Sequence, residues 1–398
     1  MKTIIFVTPP YLPVPAVNGG AIESLVTQII DMNEVKRKAN IIVFSPFDIS
    51  AKEEQNKYLY TSFYNYVKNK KKYLSKIKCI CLSQMRKIFK NTMIIEDYYK
   101  YVFNVCCSID FDYIIAEGGS YIEFEKFSKE FGRDRVILHI HHNLLCNRKL
   151  ANIFGTTISV SDYINKKWIE SRNKYSNIVS QKNYVIYNGV DIKLYNKKIT
   201  LEEKHNLRQS LKIEDDDFLI LYVGRIIKEK GVEELLDAVI KIQNKKIKLL
   251  IIGNVSFKNK SENKYSKRIE KKCCARKDKI KRIDYIDNKD LYKYYQSSDL
   301  QVIPSQWEEA FGLVAVEAGL CKLPAIVTES GGLVEIVDKR TTSIVKKGNG
   351  LVNNLEKEIQ SFVCNEEKYK KVKNSFDDYY KKYSSMNFYD NIMNILGR

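Results

Sequence analysis

Three glutamates stand in the largely apolar segment PSQWEEAFGLVAVEAGLCKLP, residues 304–324. Glu308 and Glu309 are adjacent, and seven residues separate Glu309 from Glu317. A carboxylate can accept hydrogen bonds from two neighbouring hydroxyls, which suits the diols of ribose and hexoses. The pattern predicts a strand, a loop and a helix from about Leu313. Glu309 would then lie in the loop and Glu317 on the helix, while Glu308 would face solvent.

Two cations occupy a second chemically suggestive segment, FLILYVGRIIKEKG, which begins at Phe218. The segment predicts a strand that ends at Gly224, a turn that holds Arg225 and Lys230, and a helix from about Gly231. A helix N-terminus presents unpaired N–H groups and the positive end of the helix dipole to an anion. Arg225 and Lys230 there favour a diphosphate, although both cations could simply be solvated.

Short apolar, β-branched runs alternate with amphipathic helical segments along the whole chain, and the series occurs twice. Continuous apolarity is typical of strands buried on both faces of a parallel sheet. We therefore expect an α/β fold of two Rossmann-like doubly wound domains that face a cleft. The predicted bounds are 1–192 for the first domain, 193–217 for a linker, 218–372 for the second domain, and 373–398 for a C-terminal helix that packs back on the first.

The composition indicates an anionic partner. Lys and Arg number 67 against 48 Asp and Glu, a formal charge of +19. Such a charge suits nucleic acid, an acidic membrane surface or a phosphorylated ligand, and it could also be a bias without a partner. The nine cysteines form no framework, and no apolar run approaches the length of a membrane span. We expect a cytoplasmic protein that is at most peripheral on a membrane.

Residues 68–90, KNKKKYLSKIKCICLSQMRKIFK, contain no acidic residue. Their apolar residues recur every three to four positions, which predicts a basic amphipathic helix. Such a helix can lie on anionic lipid headgroups, or it can bury one face in its own domain. A membrane contact through this segment stays a hypothesis at this point.

Several motifs together resemble the retaining glycosyltransferases of family 4, which have the GT-B fold, and in particular enzymes of bacterial capsule and lipopolysaccharide synthesis. The motifs are GR-x4-KG from Gly224, EAFG-x4-EA from Glu309, the glycine pair at Gly331, NGG with Glu23, LHIHHN, SVSDYI and VIYNGVD. They cover nearly the whole chain. The resemblance implies a glycosyltransferase whose two domains bind acceptor and nucleotide-sugar donor respectively.

The resemblance also implies roles for particular residues. Arg225 and Lys230 would hold the donor diphosphate, and Gly20 would let its loop approach the phosphates. Glu317 would accept the ribose hydroxyls, and Glu309 would be catalytic by binding and orienting the donor sugar. The remaining expected contacts are the backbone N–H groups of Phe311, Gly312 and Leu313 with the sugar or diphosphate, and Ile286 with the base.

A histidine completes the expected catalytic set. His139, His141 and His142 crowd one strand end, and related capsule enzymes carry H-x-H-N there. That alignment selects His141, near the donor-sugar hydroxymethyl group. Strand alternation places His139 and His141 on one face and His142 on the other.

The expected reaction moves a hexose-type sugar from a nucleoside diphosphate, with UDP favoured, to a hydroxyl of a glycan acceptor that is lipid-linked. Arg225, Lys230 and the helix N-terminus would stabilise the leaving group, so we expect no metal and no cofactor. The DxD-like strings at 110–112 and 215–217 are interpreted as surface turns.

Three other classes of protein fit the sequence less well. An NAD-dependent nucleotide-sugar-modifying enzyme would need a G-x-G-x-x-G fingerprint, which is missing after the first strand. A nucleic-acid binder would need a recognisable module, and none is apparent in the sequence. A catalytically inactive GT-B partner subunit is disfavoured because Glu309, Glu317, Arg225 and Lys230 are all intact.

Overall fold

A computed structural model of the chain describes residues 1–68, 83–176, 179–254 and 264–397, without the side chains of residues 83–94. The chain forms two compact units. The first consists of Met1–Gly189 together with Ser385–Arg398, and the second is Val190–Ser384. Each unit is built around its own parallel sheet.

The first sheet has seven strands in the order β3-β2-β1-β4-β5-β6-β7, and every neighbouring pair is parallel. Its core positions are β-branched residues buried on both faces, as the continuous apolar runs predict. The strands are β1 Lys2–Val7, β2 Ala39–Pro46, β3 Thr61–Tyr66, β4 Tyr113–Ala116, β5 Val136–Ile140, β6 Thr156–Ser159 and β7 Lys182–Val185.

Helices connect these strands. The amphipathic character of the connecting segments allows each helix to bury one face against the sheet. They are α1 Ala21–Lys36, α2 Ile49–Gln55, α3 Ser83–Cys106, α4 Phe124–Phe131, α5 Leu150–Ile153 and α6 Asp162–Arg172, with 3-10 turns at Tyr121–Glu123 and Arg133–Arg135.

The second sheet has six strands in the order β10-β9-β8-β11-β12-β13, again all parallel. Leu249, Leu250 and Ile251 of its interior are fully buried. The strands are β8 Phe218–Val223, β9 Ile247–Ile252, β10 Ile280–Ile283, β11 Leu300–Ile303, β12 Ala325–Thr328 and β13 Thr342–Val345.

The helices of the second unit include two that precede its first strand. They are α7 Ile192–Tyr195, α8 Leu201–Ser210, α9 Val232–Lys241, α10 Lys264–Ala275, α11 Asn288–Ser297, α12 Leu313–Leu320, α13 Leu333–Ile336, α14 Leu351–Cys364 and α15 Glu366–Asn374, with 3-10 turns at Lys228–Lys230 and Tyr379–Tyr383.

The final helix, α16 Ser385–Leu396, belongs to the first unit. It buries Phe388, Tyr389 and Ile392 in the same cluster as the apolar face of α1. The Tyr389 hydroxyl donates to Oδ1 of Asn33 on α1 over 2.6 Å. Apolar burial and this buried hydrogen bond together fix the end of the chain on the first unit.

The expected α/β class with two doubly wound parallel sheets is confirmed. The bounds of the compact units differ from the predicted 1–192, 193–217, 218–372 and 373–398. Residues 193–217 lie within the second unit, because the buried Arg208 of α8 donates to the carbonyls of Ser297 and Asp217 there. Residues 373–384 also belong to the second unit, and only α16 joins the first.

The predicted basic helix at 68–90 lies mostly outside the described residues. Residues 69–82 are not described, and residues 83–90 form the start of α3 without described side chains. The proposed membrane role of this segment therefore stays a prediction.

Among the helices that the structure describes, none combines the length and apolarity that crossing a membrane requires.

Candidate functional site

Both sheets reverse their winding direction at one point, and the candidate residues lie there. In the first unit the reversal falls between β1 and β4, and in the second between β8 and β11. Ligands of open α/β sheets bind beyond the carboxyl ends of the strands at this switch point. In the second unit, the β8–α9 turn carries Arg225 and Lys230, and the β11–α12 loop carries Glu309.

Lys230 and Glu309 form an ion pair across the second switch point. The Nζ of Lys230 lies 2.6 Å from Oε1 of Glu309. The Glu309 side chain is 8% exposed and that of Lys230 is 21% exposed. A cation and a carboxylate in this degree of burial attract one another far more strongly than at an open surface.

Further hydrogen bonds hold the side chain and the backbone of Glu309. The Ser305 hydroxyl donates to the same Oε1 atom, and the Glu309 backbone N–H donates to Oγ of Ser330 over 3.2 Å. Burial alone would raise the pKa of Glu309, but Lys230 and the hydrogen bonds hold that pKa below its usual value. Glu309 is therefore an ionised acceptor with a fixed orientation.

An aromatic ring adjoins both cations. The Arg225 guanidinium lies 5.9 Å and the Lys230 ammonium 5.1 Å from the centroid of the Trp307 ring. Arg225 itself is exposed. Trp307 thus lies near both cations, which the sequence predicts to bind a diphosphate.

Gly231 allows the β8–α9 turn to approach the β11 loop. It has a φ of 67°, and a Cβ atom there would lie 1.9 Å from the carbonyl oxygen of Pro304. Only glycine tolerates both the left-handed backbone and this contact. The helix α9 therefore begins directly beside the loop that carries Glu309.

The N-terminus of α12 is built in the same way. Gly312 has a φ of 114° and precedes Leu313, the first residue of the helix. Phe311 is buried and packs edge-on against Tyr383 at 5.7 Å between ring centroids. The expected backbone contacts of Phe311, Gly312 and Leu313 thus lie at a helix N-terminus, where the positive end of the helix dipole can meet an anion.

Glu317 lies on α12, as the spacing predicts. It is partly buried, and the Tyr295 hydroxyl donates to its Oε2 over 2.7 Å. Removal from water raises the pKa of Glu317, and hydrogen bonds from Tyr295 and Tyr195 oppose that rise. Its carboxylate is positioned by a tyrosine pair rather than by a cation.

Two further residues of the second unit were singled out from the sequence, Glu308 and Ile286. Glu308 has a side chain 38% exposed and pairs with Lys347. It does not share the Lys230 contact of its neighbour Glu309. Ile286 is half-buried in the loop between β10 and α11, next to the exposed Tyr285.

In the first unit, Gly20 immediately precedes α1 and has a φ of 106°. A Cβ atom at Gly20 would lie 2.1 Å from Oε2 of Glu23. Glu23 is buried, and its burial raises its pKa to about 7. The glycine therefore makes room for a carboxyl group that changes its charge near neutral pH.

His139 and His141 converge on one carboxylate. The Nδ1 of His139 lies 3.0 Å and the Nε2 of His141 lies 2.6 Å from Oε2 of Glu117, and the two ring centroids are 4.0 Å apart. Burial would raise the pKa of Glu117, but both imidazoles lower it to about 2. Burial and the neighbouring His139 lower the pKa of His141 to about 4.

His142 lies apart from this group. It is exposed and stacks on Tyr121 with 5.9 Å between ring centroids. The strand alternation expected for the three histidines agrees with this placement. Of the three, His139 and His141 make the buried contacts.

Sequence reasoning did not select Glu117 or assign a role to Glu23. The available signal for Glu117 was its place between the buried run YIIA and two glycines, which marks a carboxylate at a strand end. Glu117, His139 and His141 offer ligand atoms within 4.8 Å of one another. Two imidazoles and a carboxylate are also a donor set that suits zinc.

Comparison with known proteins identifies part of the chain. Residues 203–376 match the model of the glycosyl transferases group 1 family. An uncharacterized glycosyltransferase of Methanocaldococcus jannaschii is 31% identical over 228 residues, which are 54% of this chain and 55% of that protein. The capsular polysaccharide biosynthesis glycosyltransferase CapM of Staphylococcus aureus is 29% identical over 209 residues, 50% of this chain and 51% of CapM.

The chain spans about half the length of the curated relatives it matches. Among solved structures, HepE of Anabaena in complex with UDP and glucose superposes with a TM-score of 0.74 over 100% of both chains, at 18% identity. Residues 203–376 are therefore similar to the glycosyl transferases group 1 family, and the expected resemblance to GT-B glycosyltransferases is confirmed.

Proposed function

We propose that this chain is a retaining glycosyltransferase that moves a hexose-type sugar from a nucleoside diphosphate to an acceptor hydroxyl. The observation that carries the proposal is the pairing of Lys230 with the buried Glu309, 2.6 Å apart at the switch point of the second sheet, with Arg225 beside them. This arrangement combines cations for a diphosphate with an ionised acceptor for sugar hydroxyls.

The diphosphate would bind in the β8–α9 turn. The N-terminus of α9 presents the positive end of the helix dipole, and Arg225 and Lys230 add two positive charges. As the bond to the sugar breaks, negative charge grows on the departing nucleoside diphosphate. These groups would stabilise that charge, so the proposed reaction needs neither a divalent metal nor a cofactor.

Lys230 would gain a second partner when the donor binds. In the structure its ammonium is held by Glu309. A diphosphate is a stronger partner because it carries more charge, and an ammonium can donate three hydrogen bonds at once. Lys230 would then bridge the phosphate and Glu309, which couples diphosphate binding to the position of the sugar-binding carboxylate.

Nucleoside and sugar contacts follow from the neighbouring elements. Glu317 would accept the ribose hydroxyls, while Glu309 and the backbone N–H groups of Phe311 to Leu313 would contact the donor sugar. Ile286 would lie against the base. UDP is the proposed nucleotide, supported by the UDP in the structure of Anabaena HepE, which shares the fold.

The proposed acceptor is a lipid-linked glycan of surface polysaccharide synthesis, used at the cytoplasmic face of the inner membrane. Two observations support this proposal. The chain has a formal charge of +19, which favours an anionic membrane surface. CapM, a partial relative, is named for capsular polysaccharide biosynthesis.

A ligand panel tests the proposed function. The thermal midpoint is measured with UDP, GDP, ADP and dTDP and with their glucose, galactose and N-acetylhexosamine conjugates, and NMR then follows the anomeric proton of sugar released or transferred. We expect one nucleotide to raise the midpoint and the product to keep the donor's anomeric configuration. No stabilisation by any member, or an inverted product, would contradict the proposal.

A further inference from the structure

One buried cluster of the first unit has an incomplete set of hydrogen bonds. Glu117, His139 and His141 have side chains at most 6% exposed. The Oε1 of Glu117, the Nε2 of His139 and the Nδ1 of His141 are buried and have no hydrogen-bond partner within the described part of the chain. Buried polar atoms are usually satisfied, so each exception suggests a missing ligand or a functional role.

Geometry and charge determine which histidine nitrogens carry protons. An ionised carboxylate is an acceptor only, so the Nε2 of His141 must donate across its 2.6 Å contact with Glu117. A neutral imidazole protonated at Nε2 has a lone pair at Nδ1. His141 therefore presents an acceptor, rather than a donor, at its unpartnered atom.

The carboxylate that dictates this tautomer is itself rigidly placed. Glu117 directly follows β4 at the switch point, and its backbone N–H donates to the carbonyl of Val7 over 3.0 Å. The Tyr99 hydroxyl donates to the carbonyl of Gly118 over 3.0 Å and accepts from the N–H of Ser120 over 3.1 Å. The loop that holds Glu117 is thus tied on both sides of the carboxylate.

His139 supplies a second restraint. Its Nδ1 lies 3.0 Å from the same Oε2 atom of Glu117, and the imidazole is 1% exposed. Two imidazoles on one oxygen leave the carboxylate a single low-energy orientation. Rotation of Glu117 away from His141 would leave two buried N–H groups unpaired, which is unfavourable.

We propose that Glu117 is a positioning residue that keeps His141 protonated at Nε2, so that Nδ1 accepts a hydrogen bond from a sugar hydroxyl. The identity of that hydroxyl rests on the proposed function, because that function makes the ligand a sugar. The tautomer itself does not depend on that function. It follows from the contacts of Glu117, His139 and His141 alone.

Nitrogen-15 NMR of histidine-labelled protein tests the tautomer directly. The chain has four histidines, so His139→Gln and His141→Gln variants assign the resonances of both rings. In the wild-type protein at neutral pH, we expect Nε2 of His141 to be protonated and Nδ1 to show the shift of an unprotonated nitrogen. A protonated Nδ1 on His141 would overturn the proposal, whatever the enzyme's activity.

Glu117→Gln tests the positioning role, with Glu130→Gln on the exposed end of α4 as the matched control. Glutamine keeps the shape but removes the negative charge that favours both N–H donors, and its amide NH2 group can donate to a ring nitrogen, so the His141 tautomer should become mixed. With UDP-sugar as probe, kcat for UDP release should fall about tenfold or more, while KM changes less. The control should retain both parameters, and unchanged tautomer and kcat in Glu117→Gln would refute the role.

Measurement of the metal content distinguishes a zinc site from the proposed positioning role of Glu117. A zinc ion that co-purifies at one per chain and is lost in His141→Gln would mean that the three side chains form a metal site, and it would overturn the positioning proposal. We expect no stoichiometric zinc and no change of the His141 resonances on addition of zinc at equimolar concentration. Loss of UDP binding would instead point to failure of the proposed donor site, and the tautomer result would stand separately.

Discussion

At the scale of single residues, the main feature of the second switch point is an ion pair between a lysine and a buried glutamate. Lys230 lies against Glu309, which is buried, whereas the neighbouring Glu308 reaches Lys347. Removing the partner of a buried, ion-paired carboxylate costs free energy, because it leaves a buried charge unpaired. Under the proposed function the diphosphate would share Lys230 with Glu309, whereas Glu317 is bonded to Tyr295, and this difference in partner distinguishes the two carboxylates.

Glu317→Ala and Glu309→Ala should fail in different ways. Loss of Glu317 removes an acceptor for ribose, and we expect the affinity for UDP to fall about tenfold. Loss of Glu309 releases Lys230 to the diphosphate, so UDP affinity should hold or rise while turnover falls about a hundredfold or more. Calorimetry of UDP binding and a UDP-release assay separate the two. Equal losses of UDP affinity would contradict the assigned roles, and Glu308→Ala is the matched control.

Glu23 should make stability depend on pH. Its folded pKa of about 7 lies above the unfolded value of 4.5, so its contribution is present below pH 4.5 and is lost as pH rises through 7. The shift corresponds to about 3 kcal/mol. Glu23→Gln should therefore reduce the fall in thermal midpoint between pH 5 and pH 8, relative to wild type and to the exposed control Glu53→Gln. A parallel pH dependence in all three proteins would show that Glu23 is not the titrating group.

Residue spacing predicted which elements at the second switch point carry the two glutamates. The positions of Glu309 and Glu317 on loop and helix follow from the strand–loop–helix pattern alone, and the structure places them so. Glu117 was not predictable in the same way. Its importance arises from contacts with His139 and His141, which are 22 and 24 residues away in sequence.

At the scale of elements, the site depends on close contacts between strand-to-helix turns. Gly231 and Gly253 each approach a backbone carbonyl that a Cβ atom would meet at 1.9 Å, and both have a positive φ. A parallel sheet brings such turns to one edge. The turns can carry ligand-binding residues only while the glycines let them lie side by side.

Gly231→Ala should damage fold and site together. The alanine would adopt a left-handed conformation and press on the carbonyl of Pro304, which predicts a loss of roughly 1–3 kcal/mol of stability. The β8–α9 turn would also shift, so UDP affinity should fall about tenfold. Gly350→Ala is the control, since a Cβ there meets only Asn354 at 3.8 Å. Thermal melts and UDP calorimetry on both variants give the answer, and a Gly231→Ala protein equal to its control would refute the packing argument.

Element types were predictable because buried strands leave continuous apolar runs. The bounds of the units were not, because residues 193–217 have a charged surface pattern that suggests a linker. Arg208 in this segment is only 1% exposed and is satisfied entirely by carbonyls and Asp299. The sequence pattern does not distinguish a buried arginine with several hydrogen-bond partners from an arginine exposed to solvent.

At the scale of the whole molecule, the net positive charge predicts binding to anionic surfaces. The chain has 67 cationic and 48 anionic side chains, a formal charge of +19, which should attract the protein to such surfaces. In pelleting assays we expect binding to vesicles rich in phosphatidylglycerol at low salt, and clear weakening by about 0.5 M salt as the Debye length shrinks. Vesicles of phosphatidylcholine serve as the control. Equal binding to both vesicle types, or none to either, would remove the proposed membrane contact.

Calorimetric titration of nucleotides into the wild-type protein and Lys230→Met tests the central claim most directly. The wild-type protein should bind one nucleoside diphosphate among UDP, GDP, ADP and dTDP at least about tenfold more tightly than the corresponding nucleoside, because Arg225, Lys230 and the α9 N-terminus hold the diphosphate. In Lys230→Met this advantage should largely disappear. If no diphosphate binds better than its nucleoside, or if Lys230→Met binds as wild type does, the second switch point is not a nucleotide-sugar site.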